Sequence, residues 1–511
     1  MVLAEIFIFL VTVSTVFWLW LRYRNQYWKR ANIPYIKPHP LFGNFKEIAL
    51  WQNDPCTHFK KLYESIKDNV PCVGIYVFHR PGLLVKDLNL IKNILIKDFN
   101  MFSNRYSASD PHTDSIGANN LFFVKNPKWK EIRAKLTPVF TSGKIKQMFH
   151  LVEEIGRNLD KHLCSLTDVS RVHEVKEINA LFTTDVIASI AFGVLANSLE
   201  DPKGEFRRNG ARVFEFTYRR AAEFTSMFFV PQLVKPLHFK TFSSQTSDFL
   251  RKAMTHVIEE RMKSTMHRND LIDVLVNFRK EAEKDPTHFA NNMDLVIGQA
   301  AIFFTAGFET SSATMSFSLY ELAKRQDIQS RLREEIRSVL LQSENGQPSY
   351  EQINEMKFLN NVILEVLRMY PPLPFLDREC TAPQGYSLKP FFDFTIPPGM
   401  PIYIPASAIQ RDEKYFPDPD RFEPDRFNPE KKLYNNLMAL MPFGIGPHNC
   451  IGERFGLLQA KVGLINFLRN HYVTPCKQTP VEMKLSPKAI IIQSEDGIYL
   501  NLNRDPLIKS Q

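Results

Sequence analysis

A chain of 511 residues, 44% hydrophobic and 23% charged, can bury a large core and has a globular composition, which argues against a disordered or fibrous protein. The formal net charge of +9 favours acidic partners or anionic membrane, yet no basic run interleaved with aromatics points to nucleic acid. Six cysteines without a C-x-x-C pair argue against a zinc site and a disulfide framework, and the 41 Phe call for an aromatic-rich interior or ligand cavity.

In chain order, residues 2–21 come first: twenty residues that are apolar apart from Glu5 and a few hydroxyls, and long enough as a helix for a bilayer core of roughly 30 Å. Trp18, Trp20 and Tyr23 sit where an interfacial belt would lie, and Arg22, Arg24, Lys29 and Arg30 predict that the rest of the chain is cytosolic. A cleaved signal peptide is disfavoured by the acidic start and the bulky FWLWL where small residues should stand. Residues 22–44 then form a basic stop-transfer segment and a stiff connector, because Pro34, Pro38 and Pro40 prevent helix continuation.

From residue 45 to 511 the pattern predicts one mainly helical catalytic domain with few clear strand signals. Phe224 to Phe239, broken by Pro231 and Pro236, is either core or a surface that dips into the membrane beside the anchor. The longest helical pattern starts near Asn292. It is apolar or small nearly all round, as in a helix buried on most sides. Read as a second span it would put Glu309 in mid-bilayer at a cost of roughly 3 kcal/mol, so a core helix is the better reading.

The most informative segment is MPFGIGPHNCIGERFGLLQ. Phe455, Leu458, Val462, Ile465 and Leu468 recur at helical spacing, so a helix begins just after Cys450, while Gly444, Gly446 and Pro447 break regular structure before it. A helix N-terminus should lower the thiol pKa and stabilise thiolate, the form that ligates iron. This loop resembles the F-x-x-G-x-R-x-C-x-G signature of the cytochrome P450 superfamily, with Phe443, Gly446, Cys450 and Gly452 at the fixed positions and Gly444 a common extra. His448 stands where most members have Arg. As a propionate partner it would offer one donor and have a raised pKa.

The resemblance implies an α+β fold, mainly helical with small sheets. It places haem b (iron protoporphyrin IX) between the long central helix and the Cys-loop helix, with Cys450 as the metal ligand. Ala306-Gly307-Phe308-Glu309-Thr310-Ser311 is similar to the family's A-G-x-[DE]-T-[TS], which implies that Thr310 and Glu309 deliver protons during oxygen activation, with a groove opened at Gly307. Glu365 and Arg368 share a spacing that Glu154/Arg157, Glu205/Arg208 and Glu334/Arg337 also have; with Arg426 the resemblance makes them a structural cluster holding the Cys loop. It also implies that Trp129, Arg133 and Arg378 bind haem propionates. Many relatives carry His where Gln410 stands.

Implied substrate contacts are Leu121, Phe122, Phe123, Phe304, Ala306, Leu373, Phe375 and Ile491. No dinucleotide fingerprint is present, so electrons would come from NADPH–cytochrome reductase, with cytochrome b5 a further donor, docking near Lys125, Lys128, Lys130 and Lys135. The overall style is similar to insect microsomal members that oxidise plant toxins and insecticides, at the cytosolic face of the endoplasmic reticulum membrane. A haem-thiolate isomerase or dehydratase, and a non-catalytic membrane-tethered haem or ligand carrier, are the alternatives. The acid–alcohol pair favours the monooxygenase.

Overall fold

The computed structural model describes residues 2–215, 217–264, 268, 270–431 and 438–508. The first helix, Val2–Arg24, is long and apolar enough to cross a membrane, and its side chains are exposed except for the buried Leu21 and half-buried Arg24. Its end is docked on the body. The Trp20 ring lies 5.0 Å from that of His79. Trp28 is fully buried and donates from Nε1 to the Ile75 carbonyl at 2.9 Å. The proline connector is also held, since the Gly74 amide donates to Pro34 O and the Ile36 amide to Gly74 O.

The body is mainly helical, with sheets of four, three and two strands. In the four-stranded sheet Cys72–Val77 pairs antiparallel with Arg80–Val85, which runs parallel to Pro401–Ile404, which in turn pairs antiparallel with Leu376–Glu379. Few strand signals were expected because CVGIYV is a short, continuously apolar run buried on both faces, and such a run lacks the alternation that marks a strand. The last strand of the sheet delivers Arg378 to the functional cavity.

The central helix spans Met293–Lys324, capped by the Asn292 side chain, which accepts from the amides of Asp294 and Leu295. Burial of so many hydroxyls is tolerated because most of them find an acceptor inside the helix. Thr305, Thr310, Thr314, Ser316 and Ser318 all donate to the carbonyl one turn earlier, at 2.6 to 2.9 Å. Around it pack Val175–Ile187, Lys357–Met369 and the Cys-loop helix Glu453–Leu468. Of the Phe224–Phe239 segment, Met227, Phe228, Phe229 and Val234 are core, whereas Leu233 and Leu237 are exposed. Core is therefore the reading that holds for Met227 to Phe229 and Val234.

Candidate active site

The chain reaches Cys450 through a tight loop. Gly444 and Gly446 adopt φ of +68° and +75°, and a Cβ at Gly446 would lie 2.0 Å from the Leu95 carbonyl oxygen, so no larger residue fits there. The Cys450 amide donates to the Phe443 carbonyl at 2.7 Å. Its side chain opens onto a cavity of two adjoining lobes, about 220 and about 290 Å³, whose shared walls include Arg105, Phe122, Ala306, Thr310, Phe443 and Cys450. The lining is chiefly apolar and aromatic. Enclosure by the cavity walls raises the Cys450 thiol above its ordinary pKa, opposed by the Gly452 amide and, more weakly, by Arg133 and Arg105. The expected lowering by the helix N-terminus is therefore outweighed by desolvation.

Behind the loop stands the structural cluster. Glu365, Arg368 and Arg426 are buried, with Arg368 bidentate on Glu365 at 2.7 and 2.9 Å and Arg426 Nε on the same carboxylate at 2.9 Å. Gln410 completes it. Its backbone carbonyl accepts from Arg368, its amide nitrogen donates to the carbonyls of Leu367 and Arg368, and its side-chain oxygen accepts from the Met441 amide at 2.8 Å. Gln410 thus ties the end of the helix to the start of the Cys loop.

Three guanidinium groups gather at one end of the cavity. Arg133 donates to Asn449 Oδ1 at 3.0 Å, and Arg378, buried, leaves its Nε without an acceptor. The third, Arg105, was not singled out from the sequence, because it lies in an irregular segment that no spacing marks. Arg105 also corrects the reading of His448. The His448 Nδ1 accepts from Arg105 at 3.1 Å and its Nε2–H donates to the Ser103 carbonyl at 2.8 Å, so both ring nitrogens are taken by protein. Burial, then Arg105 and Arg378, push its pKa far down rather than up, so His448 is a neutral strut packed 3.8 Å from the Trp129 ring.

Other expected residues divide by where their helix or strand turns them. Leu121, Phe122, Phe123, Ala306, Leu373, Ile491, Trp129, Arg133, Arg378, Phe443, Gly444, His448 and Thr310 line the cavity. Phe304 does not: it is buried against Phe192, Phe206 and Phe308. Phe375 is also turned away, into a cluster with Phe59, Phe228 and Phe229. Glu309 is a further correction. It lies on the side of the central helix facing Val175–Ile187 and forms an ion pair with Lys176 across 2.9 Å, while Thr310 faces the cavity. At Gly307 the helix is unbroken, and the missing side chain instead makes room for Ile187. Of the four lysines, Lys125 is bound to the Arg105 and Ser107 carbonyls and Lys135 pairs with Glu281; Lys128 and Lys130 remain exposed.

The Cytochrome P450 family model matches residues 33–502, which include every wall of this cavity. The chain belongs to the cytochrome P450 family. It is 49% identical to "Probable cytochrome P450 6g2" of Drosophila melanogaster, over 98% of both chains. Identity is 40% to "Cytochrome P450 6k1" of Blattella germanica, over 98% of this chain and 97% of the relative. To "Cytochrome P450 6a2" of Drosophila melanogaster it is 37%, over 97% and 98%. The chain is accordingly a monooxygenase of the haem-thiolate type.

The residues present fit that group. Burial and mutual repulsion lower Arg378 to about 9, and burial, with repulsion from Arg133, lowers Arg105 to about 10, so anionic carboxylates placed between them would be strongly favoured. Cys450 supplies the thiolate on the same cavity, and Trp129 and Phe443 supply flat apolar walls.

Proposed function

We propose that this P450 inserts one atom of O2 into apolar small molecules, including plant toxins and insecticides, and reduces the other to water with two electrons from NADPH. A reductase would deliver them, with cytochrome b5 as a further donor, to a haem b held by Cys450, Arg105, Arg133, Arg378 and Trp129. The bound haem supplies the activation of dioxygen and the attack on the substrate C–H bond. The observation that carries the reading is that Cys450 and the Thr310 hydroxyl open onto one apolar cavity large enough for a small ligand.

The protein's part is positional. Phe122, Phe123 and Leu373 exclude water and hold an apolar ligand against the Ala306–Thr310 stripe. Thr310 Oγ1 donates to the Ala306 carbonyl at 2.8 Å, which leaves its lone pairs toward the cavity to hold a proton donor there. Glu309 is kept on Lys176, behind the helix, and stays out of the cavity. Thr310→Ala should retain haem and substrate binding while diverting NADPH into peroxide. Measuring product formed per NADPH consumed tests this, and a ratio equal to wild type removes Thr310 from proton handling.

For the anchor, we propose that residues 2–21 span the endoplasmic reticulum membrane with the body on the cytosolic side, and that Lys128 and Lys130 face the reductase. Removal of residues 2–21 is expected to release most of the protein from microsomes on a high-salt wash. Retention of all of it would transfer the anchoring to the surface around Leu233 and Leu237.

A further inference from the structure

The larger lobe runs from Cys450 and Thr310 to an outer end where the walls turn polar. Glu215 and Tyr218 are exposed there, so this end meets solvent. Two cations lie on it, Arg220 and Lys488, and they differ in kind. Every donor of Arg220 is already used, on the carbonyls of Val213, Lys240 and Thr241 and on Glu223. Lys488 has no carboxylate within ion-pair distance among the described residues. Its ammonium is poised 4.1 Å from the centroid of the Tyr218 ring, and Tyr218 is in turn backed by Trp51 at 5.3 Å.

The loop carrying Lys488 is fixed. Leu485 bridges to Ser494, the Ser486 amide donates to the Gln493 carbonyl, and the Ile492 amide donates to the Pro372 carbonyl on the cavity wall. Lys488 and Ile491 on this loop both line the lobe, one cationic and one apolar. A charge held at the mouth of an otherwise apolar cavity has an anionic end of a ligand as its natural complement, because the ammonium is not neutralised within the protein.

We infer that Lys488 anchors the carboxylate end of an amphipathic substrate whose apolar chain runs inward past Phe123 and Leu373 to Thr310 and Cys450. The inference deepens the monooxygenase reading and rests on it. Glu215, on the same lobe, opposes such a ligand and sets the limit of its affinity.

The test uses full-length, haem-loaded protein titrated with dodecanoate and with methyl dodecanoate, following the change in haem absorbance. Lys488→Met should weaken dodecanoate about tenfold while leaving the ester unchanged, as for one lost charge-assisted contact. Lys488→Arg should keep the preference for the acid, and Glu215→Gln should tighten dodecanoate a few-fold. Added salt should weaken the acid alone. The inference is overturned if Lys488→Met shifts acid and ester equally, if it leaves the acid unaffected, or if wild type binds neither. The reduced carbon monoxide band of the same samples reports Cys450 ligation separately, so a failure of the haem-thiolate reading would be seen there first.

Discussion

Cys450→Ala is expected to abolish the absorption band of thiolate-ligated haem in the reduced carbon monoxide complex, and all monooxygenase turnover with it. No other cysteine can substitute. Cys56, Cys72, Cys164, Cys380 and Cys476 are buried or half-buried elsewhere, and none lines the cavity. A thiolate ligand donates electron density that favours O–O cleavage, and alanine offers no ligand at all. The spectrum of the purified variant decides the matter, because a band of wild-type position and height would reassign the ligand. The protein should still fold, since the Cys450 side chain engages only the Gly452 amide of its own loop, and the Cys450 amide, which bonds to Phe443, is retained.

Glu365→Ala should have an effect of comparable size by a different route. It strands two guanidinium groups, Arg368 and Arg426, in the protein interior with their shared carboxylate gone. Breaking a buried pair by removing one partner costs about 3–5 kcal/mol, against a usual total stability of about 5–15 kcal/mol. The Glu423 amide loses its acceptor as well. We therefore expect little soluble haem-loaded protein and, in what is recovered, a much lower melting temperature. Arg368→Lys should fail too, because a lysine cannot reach both Glu365 oxygens and the Gln410 carbonyl together. Melting curves close to wild type for both would mean that the cluster is dispensable.

What could be read from the sequence was whatever is local. The Cys loop declares itself through two glycines, a cysteine and a helical repeat within one short segment, and the central helix declares itself through length and apolar composition. Side-chain direction was partly legible. At about 100° per residue, Ile302, Ala306 and Thr310 share one stripe of the central helix, which already turns Phe304 elsewhere. Contacts between distant segments were not legible. Arg105 meets His448 across 343 positions of chain, and Lys176 meets Glu309 across a helix crossing, neither announced by any spacing. A family pattern identified the position of His448. Its protonation depended on which neighbour claims the ring nitrogens, which only the packed structure supplies. Lys488 and Gln410 belong to the same class of long-range fact.

The three guanidiniums gathered at Arg105, Arg133 and Arg378 have one more implication, for the life of the protein in a cell. They are buried or half-buried like charges that Asp377 offsets only in part, so the apoprotein carries an internal repulsion that propionates would relieve. A ligand that binds only the native state adds to its stability in proportion to the logarithm of free ligand over dissociation constant. Abundance of this enzyme is then set jointly by its synthesis and by the supply of haem. Newly made chains that find none stay closer to the unfolding threshold and are the ones quality control removes first.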